Sequence, residues 1–329
     1  MALAILLSGN GHEVILRTHN EKKLEELNAD RKHVENLPGA VLPDNVKLTC
    51  SLDVAMENPD MVVFTVASPY FRKLAADVKP YMDRLIERKG KAPVIVSVSK
   101  GIENGTLLTL DAVIEQEIPG ADVAILSGPS HAEEVSIGIP TTVVAGAAKM
   151  ETANFVQDAF MNEYFRVYTS PDVIGIEIGG ALKNVIALAA GVADGLGFGD
   201  NTKAALMTRG ITEIARLGEA MGGKLATFAG LSGVGDLFVT CTSKHSRNRN
   251  AGYLIGTGKS MEEAMKEVNQ VVEGVNSAKA ALALAKKYNV SMPIVEQINK
   301  ILFDGKNPSD AVKDLLLRDK TQETLSISW

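Results

Sequence analysis

From residue 13 to about residue 168, short apolar runs alternate with amphipathic stretches. Candidate strands are Glu13–Arg17, Val46–Thr49, Met61–Val66, Pro93–Ser99, Val123–Leu126 and Thr141–Ala145. Between them, helical spacing marks Glu21–Asp30, Phe71–Lys89, Thr106–Ile118 and Glu151–Met161. Strands that are apolar throughout and bounded by Gly, Pro and polar turns suit a parallel sheet covered on both faces. The pattern predicts a doubly wound α/β domain of the nucleotide-binding kind.

At Ser170-Pro171-Asp172 the periodicity changes, and serine followed by proline predicts a helix N-cap and first turn. Only helical spacing follows, over Asp172–Asp194, Thr202–Met221, Ser260–Asn269, Val275–Tyr288, Met292–Phe303 and Pro308–Leu316. The expectation is an N-terminal dinucleotide-binding domain over residues 1–170 and an all-α substrate domain over residues 171–329. A chain of 329 residues exceeds what one core usually organises, which agrees with two domains.

The front departs from the pattern. A Rossmann-type domain opens with a strand, a glycine-rich turn and a helix. This chain opens in what reads as that first helix, Ala2–Ser8, followed by Gly9-Asn10-Gly11-His12 and the strand Glu13–Arg17. No Gly-Xaa-Gly-Xaa-Xaa-Gly occurs there. Either the domain does not bind a dinucleotide, or Met1 is an internal methionine with the first strand and glycine loop upstream.

Composition narrows the class. Aromatics are only 5%, which favours α/β layers and tightly packed helices over an aromatic-rich β-sandwich. A net charge of −6 argues against a nucleic-acid binder, so an anionic ligand needs a local basic cluster. Cys50 and Cys241 have neither metal spacing nor a disulfide framework, which predicts a reducing cytoplasm and no metal site. The apolar start is too short for a signal peptide or a span, and Glu177 and Lys183 interrupt Ile174–Ala193. No membrane insertion is expected.

Five segments carry candidate chemistry, each with a plain structural alternative. Ser99-Lys100-Gly101-Ile102-Glu103 follows a buried strand, where open α/β sheets place ligands, or it is a solvated loop. Ser127-Gly128-Pro129-Ser130-His131-Ala132-Glu133 offers a helix start that attracts anions, or a capping box between Ser130 and Glu133. His131 itself reads as a packing or surface residue. Gly179-Gly180-Ala181-Leu182-Lys183-Asn184-Val185 sets a lysine in a smooth apolar helix, open to close approach, or a lysine snorkelling outwards. Gly230-Leu231-Ser232-Gly233-Val234-Gly235-Asp236 is a glycine-rich turn ending in an acid, or an ordinary loop. Lys244-His245-Ser246-Arg247-Asn248-Arg249-Asn250 is the densest basic segment and suits a phosphate, or is an exposed turn.

Taken in order with Val271-Val272-Glu273-Gly274, these segments resemble the bacterial NAD(P)-dependent glycerol-3-phosphate dehydrogenase family, from Met1 to about Lys320. The resemblance implies a cytoplasmic oxidoreductase that reduces dihydroxyacetone phosphate to sn-glycerol 3-phosphate for phospholipid synthesis, with NAD or NADP as cofactor. It implies Lys183 as general base and acid, and substrate contacts from Lys100, Gly128, Ser130, Lys183, Asp236, Ser246, Arg247 and Asn248. Cofactor contacts are implied at His19, Lys100, Ala132, Arg247, Val271 and Glu273, and a homodimer as the assembly. The family begins with a strand and a Gly-Ala-Gly-Ser-Trp-Gly type turn before Thr-Ala-Leu-Ala, and Met1 stands where that threonine would be. Rival readings are another Rossmann-plus-helical-domain dehydrogenase acting on a hydroxy or sugar acid, or a non-catalytic relic that binds phosphorylated ligand. Arg17-Thr18-His19-Asn20 leaves NAD against NADP open, since Arg17 can meet a 2′-phosphate or face solvent.

Overall fold

A computed structural model of the chain describes residues 1–33 and 37–323. Its α/β half runs α1 (Ala2–Gly9), β1 (Ile15–Arg17), α2 (Glu21–Asp30), β2 (Lys32–His33), β3 (Leu37–Val41), β4 (Lys47–Thr49), α3 (Leu52–Ala55) and β5 (Met61–Phe64). It continues through a 3-10 turn at Ser68–Tyr70, α4 (Phe71–Lys89), β6 (Val94–Ser97), α5 (Leu110–Glu117), β7 (Val123–Ser127), α6 (Ala132–Val135), β8 (Thr141–Ala147), α7 (Met150–Phe160) and β9 (Phe165–Ser170). Only helices follow among the described residues: α8 (Val173–Gly195), α9 (Asp200–Ala220), α10 (Leu225–Phe228), α11 (Asp236–Thr242), α12 (Arg247–Gly256), α13 (Met261–Val268), α14 (Glu273–Lys287), α15 (Pro293–Phe303) and α16 (Pro308–Leu316).

The main sheet has the order β5-β6-β7-β8-β9, and β1 pairs with β4 in a separate two-stranded piece. Sequence pattern predicts parallel pairing throughout, and one ladder departs from it. β7 and β8 run antiparallel, with Ser127 opposite Val144, while β5-β6, β6-β7 and β8-β9 are parallel. The segment between β7 and β8 holds only the four-residue α6, which packs on α1 and β3 and so does not cross the sheet face as a parallel connection would. The sequence reading also lacks three strands. β2 and β3 form an antiparallel pair that includes Pro38 and Gly39, poor strand signals. β9 is an edge strand that buries Phe165 and Val167 and exposes Arg166 and Tyr168, so its run is alternating rather than apolar.

Two helix starts also differ from expectation. Ser170 ends β9 rather than capping a helix, and its Oγ accepts from the Asp172 backbone N–H at 3.2 Å. Asp172 is the N-cap of α8, accepting from Gly175 N at 3.1 Å and, through its other oxygen, from Lys224 N at 2.9 Å. One carboxylate thus starts α8 and anchors the approach to α10. The predicted Thr106–Ile118 helix begins only at Leu110, because Leu107 takes a positive φ of 63° and Thr109 bridges back to Ile102.

The helical half is built round α8, which is buried continuously from Gly175 to Ala193. Its apolar stretch is long enough to cross a membrane, yet 89% of it is buried inside this protein. Ile178, Leu182, Val185 and Leu188 pack with Ile214 and Leu217 of α9, Ala251 of α12 and Ala281 of α14. Burying such side chains stabilises by about 1.5–3 kcal/mol each. Helix α12 comes so close to α8 that a Cβ on Gly252 would lie 2.1 Å from the Leu188 carbonyl oxygen. Side chains also join the two halves. Glu177 of α8 accepts from Leu110 N at 3.0 Å and Asp111 N at 3.1 Å, capping α5 across the junction. Burial pushes the Glu177 carboxyl well above its ordinary pKa, as does the neighbouring Asp111 carboxyl.

Candidate active site

A cleft of about 1640 Å³ opens between the two halves. One wall comes from the segments after β5, β6 and β7, including Thr65, Ser99, Lys100 and Ser130. The opposite wall comes from α8, α11 and the starts of α12 and α14. Ligands of open α/β sheets bind at strand ends of this kind.

At its base lies a buried polar chain. Lys183 Nζ donates to Asp236 Oδ1 at 2.6 Å and to Thr240 Oγ1 at 2.7 Å. The other Asp236 oxygen accepts from Lys100 Nζ at 2.6 Å, and Lys100 also donates to the Gly128 carbonyl at 2.9 Å. Lys183 and Asp236 are almost fully buried, whereas Lys100 is half-buried. Burial pushes the Lys183 ammonium down to about 8, with Lys100 adding repulsion and Asp236 opposing both. Burial pushes the Asp236 carboxyl up, but the two lysines outweigh it and hold the acid below the usual carboxylate range. Lys183 does not snorkel to solvent. The amine is kept inside, its pKa lowered to about 8.

Local sequence explains how Lys183 is enclosed. A Cβ on Gly179 would lie 2.5 Å from the Ser232 carbonyl, so only glycine lets the Leu231–Gly235 segment close over this face of α8. That segment is a π-helical turn running straight into α11, not a loose glycine loop, and it delivers Asp236 to the lysine. A Cβ on Gly180 would sit 3.5 Å from the Lys100 Cγ, so the stem of Lys100 lies along α8.

The basic segment also resolves into parts. Ser246 is the N-cap of α12, accepting from Arg249 N at 3.2 Å. Arg247 is the exposed first residue of α12 on the cleft wall, within 3.5 Å of Gln270 Oε1. Arg249 turns away to Asp194 at 2.7 Å, where Lys203 joins it. Asn248 is buried. It donates to Asn184 Oδ1 at 2.9 Å and accepts from Gly274 N at 2.8 Å, tying α12 to α8 and α14.

Among the sequence-predicted site residues, Lys100, Ser130, Ala132, Lys183, Asp236, Ser246, Arg247, Asn248, Val271 and Glu273 all line this one cleft. Gly128 sits behind the wall at a φ of 131°, where a Cβ would come 3.1 Å from Val143 Cα. It reaches the site only through its carbonyl. His19 is exposed beyond β1 and is not part of the cleft lining. The neighbouring Arg17 donates to the Cys50 carbonyl at 3.1 Å. The capping box expected between Ser130 and Glu133 does not form: His131 is the N-cap of α6, and Ser130 Oγ donates to the Gly128 carbonyl at 3.0 Å. His131 lines the cleft instead of packing elsewhere or facing bulk solvent.

Sequence reasoning missed Thr240, Asn184 and Ser68. Thr240 lies one helical turn after Asp236, a spacing that puts both on one face once α11 is recognised. Asn184 is adjacent to Lys183 and carries no separate signal. Ser68 donates from its N–H at 2.8 Å and its hydroxyl at 2.6 Å to the Glu273 carboxylate, a contact across 205 residues that no local pattern reveals. Cys241 is buried beside this network, and burial pushes its thiol up to about 12, so it is no nucleophile. No group of three or more potential metal ligands occurs among the described residues.

The cleft suits a dinucleotide. The start of α1 lies on its wall at Met1, Ala2 and Leu3, and a helix N-terminus favours anionic groups. The Nε2 of His131 is buried there without a hydrogen-bond partner among the described residues.

Comparison with known proteins agrees. Family models described as the N-terminus and C-terminus of NAD-dependent glycerol-3-phosphate dehydrogenase match residues 1–153 and 172–313. A protein of Agathobacter rectalis named glycerol-3-phosphate dehydrogenase [NAD(P)+] is 54% identical over 328 residues, covering 100% of this chain and 96% of its own length. One of the same name from Fusobacterium nucleatum is also 54% identical, covering 99% and 96%. The crystal structure of glycerol-3-phosphate dehydrogenase from Coxiella burnetii superposes with a TM-score of 0.91 at 34% identity, over 96% of this chain and 95% of that one. A D-mandelate dehydrogenase, at 13% identity and a TM-score of 0.62, shares the fold alone. The chain belongs to the NAD-dependent glycerol-3-phosphate dehydrogenase family and is an NAD(P)-dependent oxidoreductase.

Proposed function

We propose that this chain interconverts dihydroxyacetone phosphate and sn-glycerol 3-phosphate with NAD or NADP, with Lys183 as the proton-transfer group. The observation that carries the reading is the Lys183–Asp236 contact of 2.6 Å, buried in the same cleft as Arg247. A secondary alcohol is a very weak acid, so losing its hydride requires simultaneous loss of its proton. An amine titrating near 8 is suited to take that proton, and its ammonium to return it in reduction. Bound nicotinamide supplies the hydride chemistry. Asp236 and Thr240 aim the Lys183 Nζ, and Lys100 holds Asp236 from the other side.

Arg247 presents a guanidinium suited to bidentate phosphate binding on the helical wall, and Ser246 and Asn248 order the turn that carries it. Ser130 and Lys100 line the α/β wall of the same cleft. Fixing the phosphate converts binding energy into orientation of the reacting carbon over Lys183. Ala132, Val271 and Glu273 belong to the cofactor side of the cleft. The Leu231–Gly235 turn, Asn184 and Ser68 support these groups. The residues 1–170 and 171–329 act as cofactor and substrate domains, respectively.

Likeness to relatives named glycerol-3-phosphate dehydrogenase [NAD(P)+] supports this substrate over a hydroxy acid or sugar acid. Burial of α8 and the two free thiols favour a cytoplasmic protein, and the family resemblance makes a homodimer the expected assembly. The test is an assay of nicotinamide oxidation with dihydroxyacetone phosphate, ketopantoate and 6-phosphogluconate in parallel. Turnover confined to dihydroxyacetone phosphate supports the proposal. Preference for either of the others removes it.

A further inference from the structure

His131 precedes α6 on the α/β wall, and its Nε2 is buried with no hydrogen-bond partner among the described residues. A buried polar atom left unsatisfied costs about 1–3 kcal/mol, so the arrangement points to a partner supplied by a ligand. The ring faces that of His245, with centroids 6.3 Å apart and planes tilted by 56°. His245 stands on the opposite wall, immediately before Ser246 and Arg247. The ring that carries the unpartnered nitrogen therefore lies across from the turn that offers a guanidinium to an anion. Burial, with Lys183 and Lys100 adding repulsion against Glu133 and Asp236, holds this imidazole below its ordinary pKa. A neutral imidazole, which that shift favours, can donate one N–H, its tautomer set by the acceptor it meets.

We propose that His131 recognises the phosphate of the bound triose phosphate, donating from Nε2 to a phosphate oxygen from the α/β side while Arg247 holds the same group from the helical side. The proposal rests on the functional reading above. It makes the phosphate an additional tie between two halves already joined by Lys100–Asp236 and Ser68–Glu273. An anionic oxygen of the same chemistry also occurs in the pyrophosphate of the cofactor, and the experiment separates the two.

In the full chain, His131→Phe keeps a ring of similar size and removes both nitrogens, while His131→Gln keeps a donor. The measurements are KM for dihydroxyacetone phosphate, KM for the reduced cofactor, and inhibition by sulfate competing with the triose phosphate. The expected result for His131→Phe is a rise of about 10-fold or more in both the triose phosphate KM and the sulfate inhibition constant, the scale of a hydrogen bond to a charged group. The cofactor KM stays unchanged, and His131→Gln recovers most of the loss. Unchanged triose phosphate KM and sulfate inhibition in His131→Phe overturn the proposal, as does a change confined to the cofactor KM. Protection by sulfate against thermal unfolding reads the same contact without turnover. If the wild type does not reduce dihydroxyacetone phosphate, yet sulfate protects it and fails to protect His131→Phe, the anion contact stands and the functional reading falls.

Discussion

Lys100 and Lys183 share one carboxylate. Each places its Nζ 2.6 Å from a different oxygen of Asp236, so two cations on opposite walls of the cleft converge on a single buried acid. The lysines belong to different halves of the molecule, and Asp236 is the link between them. Their unequal burial divides the work. Lys100 keeps contact with solvent, while Lys183 sits inside an apolar helix where its proton is loosely held.

Lys183→Ala is expected to lower turnover by roughly 10²–10⁴-fold, the range for loss of a general acid–base group. Binding of dihydroxyacetone phosphate changes less, because the phosphate contacts remain. Steady-state kinetics that show turnover near the wild-type value would take Lys183 out of the mechanism.

The pH profile carries a sign. Oxidation of glycerol 3-phosphate needs the free amine, so kcat/KM rises with pH and levels off above about 8. Reduction needs the ammonium and declines through the same region. Since Asp236 raises the pKa of Lys183, Asp236→Asn shifts both limbs to lower pH in whatever activity remains. A shift to higher pH, read from the same profiles, would contradict this electrostatic account.

Arg247→Ala should act on binding rather than on proton transfer. Loss of charge-assisted hydrogen bonds to phosphate predicts a KM for dihydroxyacetone phosphate raised by about 10- to 100-fold. Turnover at saturation falls less. An unchanged KM would place the phosphate elsewhere.

Glu213 supplies a stability prediction away from the site. It is buried in α9 and caps α15 by accepting from Ile294 N at 2.9 Å. Burial pushes its carboxyl up to about 7 from 4.5, against those backbone donors. The folded state therefore binds the proton more tightly than the unfolded state. This contribution is fully present below 4.5 and is lost as pH rises through 7, with a slope of at most about 1.4 kcal/mol per pH unit. Denaturant titrations across that window should show Glu213→Gln losing this component of the slope. An identical pH dependence in both proteins would show that Glu213 does not titrate as described.

Much of this was open to local reading. The strands β5, β6 and β8 are apolar runs, and α4, α8 and α16 announce themselves by period, proline and glycine, because short-range sterics and burial of one face set them. The antiparallel turn of β8 and the edge strand β9 were not legible, since pairing direction depends on where a connection packs. The same division holds in the site. Lys183, Asp236 and Arg247 stand out as polar residues in smooth or glycine-rich surroundings, whereas Thr240 and Ser68 look ordinary until a partner meets them.

The sequence by itself determined the alternation of strands and helices in the first half, the change of architecture near Ser170 and which side chains are chemically capable. These follow from periodicity and from what a lysine, an acid or an arginine can do. Only the tertiary structure decided that Lys183 meets Asp236 across 53 residues and that Glu273 clasps Ser68 across 205. A pKa near 8 exists only where packing has removed water and set charges within a few ångströms, and no stretch of chain encodes that distance alone.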